Sequence, residues 1–179
     1  ANGGPRLLPN LDTWRAGFAR RAANPPRIPE LPIDPLSTAE RDRIARSLAT
    51  FQLGEQSEGR TLLALARRQA ARHDCPDLVR ITECFILEEQ RHAATLAAFM
   101  TQHGLPLARR DWSDGVFRRL RRLAGHELAI SVLITAELLG IQFYRAVMRS
   151  TGSRPLRAIC SLFLQDEALH VAYESELLL

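Results

Sequence analysis

Beyond residue 37 the apolar positions recur at steps of three and four, the spacing of helices that each turn one stripe toward a core. Four stripes can be followed. The first reads Ile44, Leu48, Phe51, Glu55, Glu58, Leu62, Leu65, and the second Leu78, Thr82, Phe85, Glu89, His92, Leu96, Phe99. The third reads Leu123, His126, Ile130, Leu133, Glu137, Ile141, Tyr144, Met148, and the fourth Leu156, Cys160, Phe163, Glu167, His170, Glu174, Leu177. Every stripe carries carboxylates, and three carry imidazoles, where leucine is expected. Burying an ionised carboxylate without a partner is very costly, so charges on a core face are paired or bound to metal.

Punctuation residues bound the helices. Ser37-Thr38-Ala39-Glu40 is a capping box opening a first long helix that runs through both Glu55 and Glu58 to the turn His73-Asp74-Cys75-Pro76. A second helix spans about Asp77 to His103 and is ended by Gly104 and Pro106. A connection through Asp111-Trp112-Ser113 leads to a third, about Asp114 to Ser150, and a fourth begins near Ser153 with Pro155 in its first turn. Residues 1 to 36 carry seven prolines and have room for one short helix, about Leu11 to Ala23. The expectation is one all-α domain: a four-helix bundle over residues 37 to 179 with a Pro-rich extension, residues 1 to 36, wrapped around it.

Two of the polar interruptions share a spacing. Glu89 and His92 are three apart, as are Glu167 and His170, so each pair lies on one face of its helix and can meet a single ion. A di-iron carboxylate site in a bundle takes one such Glu-x-x-His from each of two helices and one Glu from each of the other two. Glu137 supplies one of the remaining carboxylates, and the first helix offers both Glu55 and Glu58. Glu58 fits a weak internal repeat, because Glu58 to Glu89 spans 31 positions and Glu137 to Glu167 spans 30. The expected metal ligands are therefore Glu89, His92, Glu137, Glu167 and His170 with Glu58, and Glu55 as a seventh ligand or an acid close behind them. Carboxylate and imidazole together suit iron or manganese, whereas a structural zinc site favours thiolates. Glu88 and Asp166 each precede a ligand and are placed to accept a hydrogen bond from the outer nitrogen of a ligating imidazole.

Glu88-Glu89-Gln90-Arg91-His92 and Asp166-Glu167-Ala168-Leu169-His170 resemble the acid-Glu-x-Arg-His motifs of plant acyl-carrier-protein desaturases. Similar motifs occur in rubrerythrins and N-oxygenases, so the chain from about residue 38 onward resembles the ferritin-like di-iron carboxylate superfamily. Gly54-Glu55 is similar to the Gly-Glu before the first ligand of rubrerythrins, which favours Glu55 over Glu58. Leu169 stands where the second motif usually has Arg, and the chain has no Cys-x-x-Cys pair for the extra iron domain of a full-length rubrerythrin. The resemblance implies a ferritin-like bundle holding two iron ions, with manganese as the alternative. It also implies an oxidoreductase that uses dioxygen or peroxide to hydroxylate, desaturate or N-oxygenate a small organic substrate, with electrons from a donor the sequence does not identify. Two other classes compete: ferritin-like iron handling, storage or peroxide scavenging, and a helical interaction protein without metal. The first sits poorly with a positive net charge, the second with ligand types on all four helices.

Composition sharpens the rest. The formal charge is +4 and every basic side chain is Arg. The densest run, Arg118-Arg119-Leu120-Arg121-Arg122 with Arg109-Arg110, reads as a solvated helix face before it reads as a dock for an acidic carrier protein. No aromatic interleaving or nucleic-acid motif accompanies it. Cys75, Cys84 and Cys160 form no disulfide framework, which favours a reducing cytoplasmic setting. No run of about 20 uninterrupted apolar residues is seen, so a soluble protein is expected.

Overall fold

The computed structural model describes residues 11–27, 34–56, 59–108 and 125–178, the His126 side chain excepted. Every regular element among them is helical: α1 (Leu11–Ala23), α2 (Thr38–Glu55), α3 (Arg60–His73), α4 (Asp77–Gln102), α5 (His126–Ser150) and α6 (Arg154–Leu178). Glu58, the Asp111-Trp112-Ser113 connection, the start expected for the third helix and the Arg109–Arg122 runs lie outside the described residues.

The capping box forms as its sequence dictates. Ser37 Oγ accepts from the Glu40 backbone N–H at 3.2 Å while the Ser37 N–H donates to Glu40 Oε2 at 3.1 Å. The other oxygen of Glu40 accepts from the Gly152 N–H at 2.7 Å and from the Thr151 hydroxyl at 3.1 Å, tying the start of α2 to the α5–α6 turn.

The first long helix is not continuous. It stops at Glu55 and restarts at Arg60, with Gly59 between them at φ +64°. Glycine adopts that conformation at little cost, and a side chain there would also run into the Ile86 side chain. The break leaves Glu55 in the last turn of α2, facing inward.

α4 packs against α1, α2, α3 and α6, and α5 lies along α6 while touching α2 and α3. α5 is, by length and composition, apolar enough to cross a membrane, a property the stripe reading did not anticipate. Here it packs along α6 and turns Glu137 to the interior, with 33% of its apolar window buried and Leu128, Leu138 and Leu139 exposed. α1 is built into the core rather than laid over it: Phe18 and Leu11 are buried with Leu78, Ile81, Phe85 and Tyr173. A second apolar cluster joins Ile44, Leu48, Leu96, Phe99, Met100, Tyr144, Leu156, Cys160 and Phe163. Between the two lies a layer of buried acids and imidazoles.

Candidate metal centre

Four helices converge on that layer. α2 contributes Glu55 from its last turn, α4 Glu89 and His92, α5 Glu137, and α6 Glu167 and His170. The three-residue spacing works as helical geometry requires, because each Glu and His one turn apart share a face. His92 and His170 are fully buried at 0% exposure and Glu167 at 1%, while the Glu89 side chain keeps 15% of its surface exposed.

The donors form two overlapping groups. Glu55, Glu89, His92 and Glu167 can each present an atom within 4.8 Å of the others, and so can Glu89, Glu137, Glu167 and His170. Glu89 and Glu167 belong to both. Glu167 turns Oε1 toward His92 Nδ1 at 3.5 Å and Oε2 toward His170 Nδ1 at 3.6 Å. Glu89 Oε1 sits between the two imidazoles, 3.7 Å from His92 Nδ1 and 3.3 Å from His170 Nδ1. Glu55 Oε2 flanks His92 at 3.8 Å, and Glu137 Oε2 flanks His170 at 3.5 Å. Donors around an ion bonded at about 2.1 Å lie about 3 Å apart, so these separations are close to those of ligands and mostly long for hydrogen bonds. Glu55 thus stands opposite Glu137 among the described residues; Glu58, which the internal repeat favoured, lies outside them.

The outer atoms of the same side chains are satisfied, and the inner ones are not. His92 Nε2 pairs with Asp166 Oδ2 at 2.9 Å, and His170 Nε2 with Glu88 Oε2 at 3.0 Å. The pairing is crossed: each acid holds the imidazole of the other motif. Such an acid fixes the tautomer and aims the free nitrogen inward. Tyr144 donates to Glu55 Oε1 at 2.7 Å, leaving Oε2 for the interior. His92 Nδ1, His170 Nδ1, Glu55 Oε2, Glu89 Oε1 and both Glu167 oxygens are buried without a hydrogen-bond partner. Buried polar atoms are almost always paired, so six convergent exceptions fit a cation. The buried cluster could hold a metal ion.

Electrostatics point the same way. Burial and the charges of Glu55, Glu137 and Glu167 push the Glu89 carboxyl well above the usual range, and burial with Glu137 and Glu55 does the same to Glu167. Burial works against charging His170, yet Glu137, Glu88 and Glu89 outweigh it and raise its pKa well above the ordinary value. These shifts favour the protonated forms of the donors, so a cation binding here competes with protons.

Aromatic rings close the layer on both sides, stacked at His92 and tilted at His170. Phe163 lies 4.0 Å from the His92 ring, centroid to centroid, and Phe85 lies 4.6 Å from that of His170. Glu174, one turn beyond His170, belongs to neither donor group; it faces a cavity of about 20 Å³ among Leu62, Phe85, Ile130, Leu133 and Tyr173. Cys160 is packed in the apolar cluster, and no cysteine enters either donor group among the described residues.

One participant escaped the sequence reading. Arg21 of α1 donates through Nε to Glu88 at 2.8 Å and through its terminal nitrogen to Asp166, so it touches both acids behind the histidines. Arg91 of α4 reaches Asp166 at 3.3 Å and Glu88 only at 3.8 Å. Arg21 carries no local signal, since it sits in a Pro-rich leader far along the chain from both partners. No protein-family model, curated protein or solved structure matches this chain.

Proposed function

We propose that the chain is a ferritin-like four-helix bundle, formed by α2, α4, α5 and α6, that binds two iron or manganese ions and uses dioxygen or peroxide to oxidise a small organic substrate. The observation that carries the reading is the sharing of Glu89 and Glu167 between two donor groups, each completed by its own histidine and its own terminal carboxylate. Charge supports a pair of ions: four inward carboxylates match two divalent cations when both imidazoles are neutral. A donor set of carboxylate and imidazole without thiolate favours iron or manganese.

A bound pair of such ions supplies the capacity to activate dioxygen or peroxide, chemistry that no side chain of the site offers alone. The chain's own residues supply the rest. Glu88 and Asp166 hold His170 and His92 in the tautomer whose Nδ1 is free. Tyr144 holds Glu55 by one oxygen. Phe85, Phe163 and Phe18 exclude water from the imidazoles, which limits side reactions of a reactive centre.

The test is to load reduced protein anaerobically with Fe(II), then add dioxygen or peroxide and follow oxidant consumption and absorbance. Rapid oxidation of about two iron atoms per chain, returning to the ferrous state with a reductant, is expected. Accumulation of many ferric atoms per chain would replace this reading with iron storage. Folded protein that binds neither metal would leave only a helical scaffold.

A further inference from the structure

The proposed centre uses residues of four helices, yet among the described residues the side chain that hydrogen-bonds to both of its supporting acids comes from a fifth. α1 packs on α4 with Phe18 at 1% exposure, and Phe18 stacks over His170 with ring planes 10° apart. That docking brings the last turn of α1 to the edge of the polar layer, where Arg21 spans Glu88 and Asp166 with two different nitrogens of one guanidinium. A guanidinium is a rigid planar fork, so fixing it on one acid fixes the position of the other. Each of those acids in turn holds the Nε2 of one inward-facing histidine.

We propose that Arg21 is a positioning residue for both metal ions at once, which makes the N-terminal helix a working part of the centre. The inference rests on the two-metal reading above. Glu88 and Asp166 are buried acids, at 1% and 0% exposure, and neither contributes to the inward donor groups. Their two negative charges are matched by Arg21 and Arg91. Removing Arg21 leaves one buried acid in excess and frees both acids to turn, and with them both imidazoles. Replacing a ligand's hydrogen-bonding support typically weakens metal binding about 10- to 100-fold. Because one side chain supports both histidines, the loss falls on both ions together, whereas changing His92 or His170 strikes its own ion first.

The experiment is an anaerobic titration of full-length wild type, Arg21→Gln, Arg21→Lys and Arg91→Gln with Co(II), reading the visible ligand-field bands and competing with a chelator. Arg21→Gln should bind both ions roughly 10- to 100-fold more weakly, with shifted bands at saturation. Arg21→Lys, which keeps the charge but loses the fork, should fall between it and wild type, and Arg91→Gln should lose less than Arg21→Gln. Wild-type affinity and bands in Arg21→Gln would overturn the proposal. Should that variant fail to fold by circular dichroism, wild-type affinity and bands in Arg21→Lys would overturn it. If wild type itself binds no Co(II), the two-metal reading fails, a result distinct from failure of the role of Arg21.

Discussion

The same helices build two interiors of opposite character. Toward one end α2, α4 and α6 meet through Ile44, Leu48, Leu96, Phe99, Met100, Leu156 and Phe163, an apolar cluster that gains stability by removing hydrocarbon from water. A few turns along, the same faces present Glu55, Glu89, His92, Glu167 and His170, joined by Glu137 of α5. The apolar half is self-sufficient. The polar half is not, since the carboxyls of Glu89 and Glu167 are pushed well above their usual range by burial and by one another. On the proposed metal reading, the remaining fold must tolerate this layer until a cation neutralises it.

The contrast can be broken most forcefully at its hinge. Glu167 serves both donor groups, so Glu167→Ala should abolish binding of both ions while leaving the helices formed, as read by metal analysis and circular dichroism; full occupancy would refute the shared role. Metal should also stabilise the wild type, by about 2.7 kcal/mol per ion at a hundredfold excess over its dissociation constant. Chelation should therefore lower the melting temperature, and hydrogen exchange should rise in the polar layer before the apolar cluster.

A cavity on the apolar side should do the reverse. Leu48 is 0% exposed, and Leu48→Ala should cost about 2–5 kcal/mol in metal-loaded and metal-free protein alike, without changing metal stoichiometry. Thermal melts with and without metal check this. Tyr144→Phe probes the border between the halves, because it removes the hydrogen bond to Glu55 and little else. A loss of about 1 kcal/mol is expected, felt in titrations by the ion on the Glu55–His92 side more than by its neighbour.

The smallest expected effect lies outside both halves. Backbone hydrogen bonds from Gly152 and Ser37 hold the Glu40 carboxyl below its ordinary 4.5. A depressed carboxyl contributes stability above its unfolded pKa and loses it as pH falls through the folded one. Wild type should therefore melt slightly above Glu40→Gln at pH 7, with the gap closing as pH falls below the ordinary 4.5. A gap that persists unchanged in acid would mean that the carboxylate charge is not what joins α2 to the α5–α6 turn.

The legible parts of this molecule were those with local or periodic signals. The limits of α1 and the capping box at Ser37 followed from prolines and from a four-residue motif. Both Glu-x-x-His pairs announced a shared face by their spacing, and Glu88 and Asp166 were correctly placed beside the imidazoles, although each was found to hold the histidine of the opposite motif. The break after Glu55 was missed because the apolar stripe continues across it. Gly54 and Gly59, each costly inside a helix, were the overlooked sign. Arg21 could not have been found from pattern, because its two partners lie 67 and 145 positions away and only the packing of α1 brings them together.

The most direct test of the central claim is metal stoichiometry: anaerobic Fe(II) titration of purified protein, with elemental analysis after gel filtration. Saturation at about two ions per chain, reduced to none in Glu167→Ala, is the predicted result. Saturation at a single ion, or no retained metal in folded wild-type protein, would contradict a centre built on two groups that share Glu89 and Glu167.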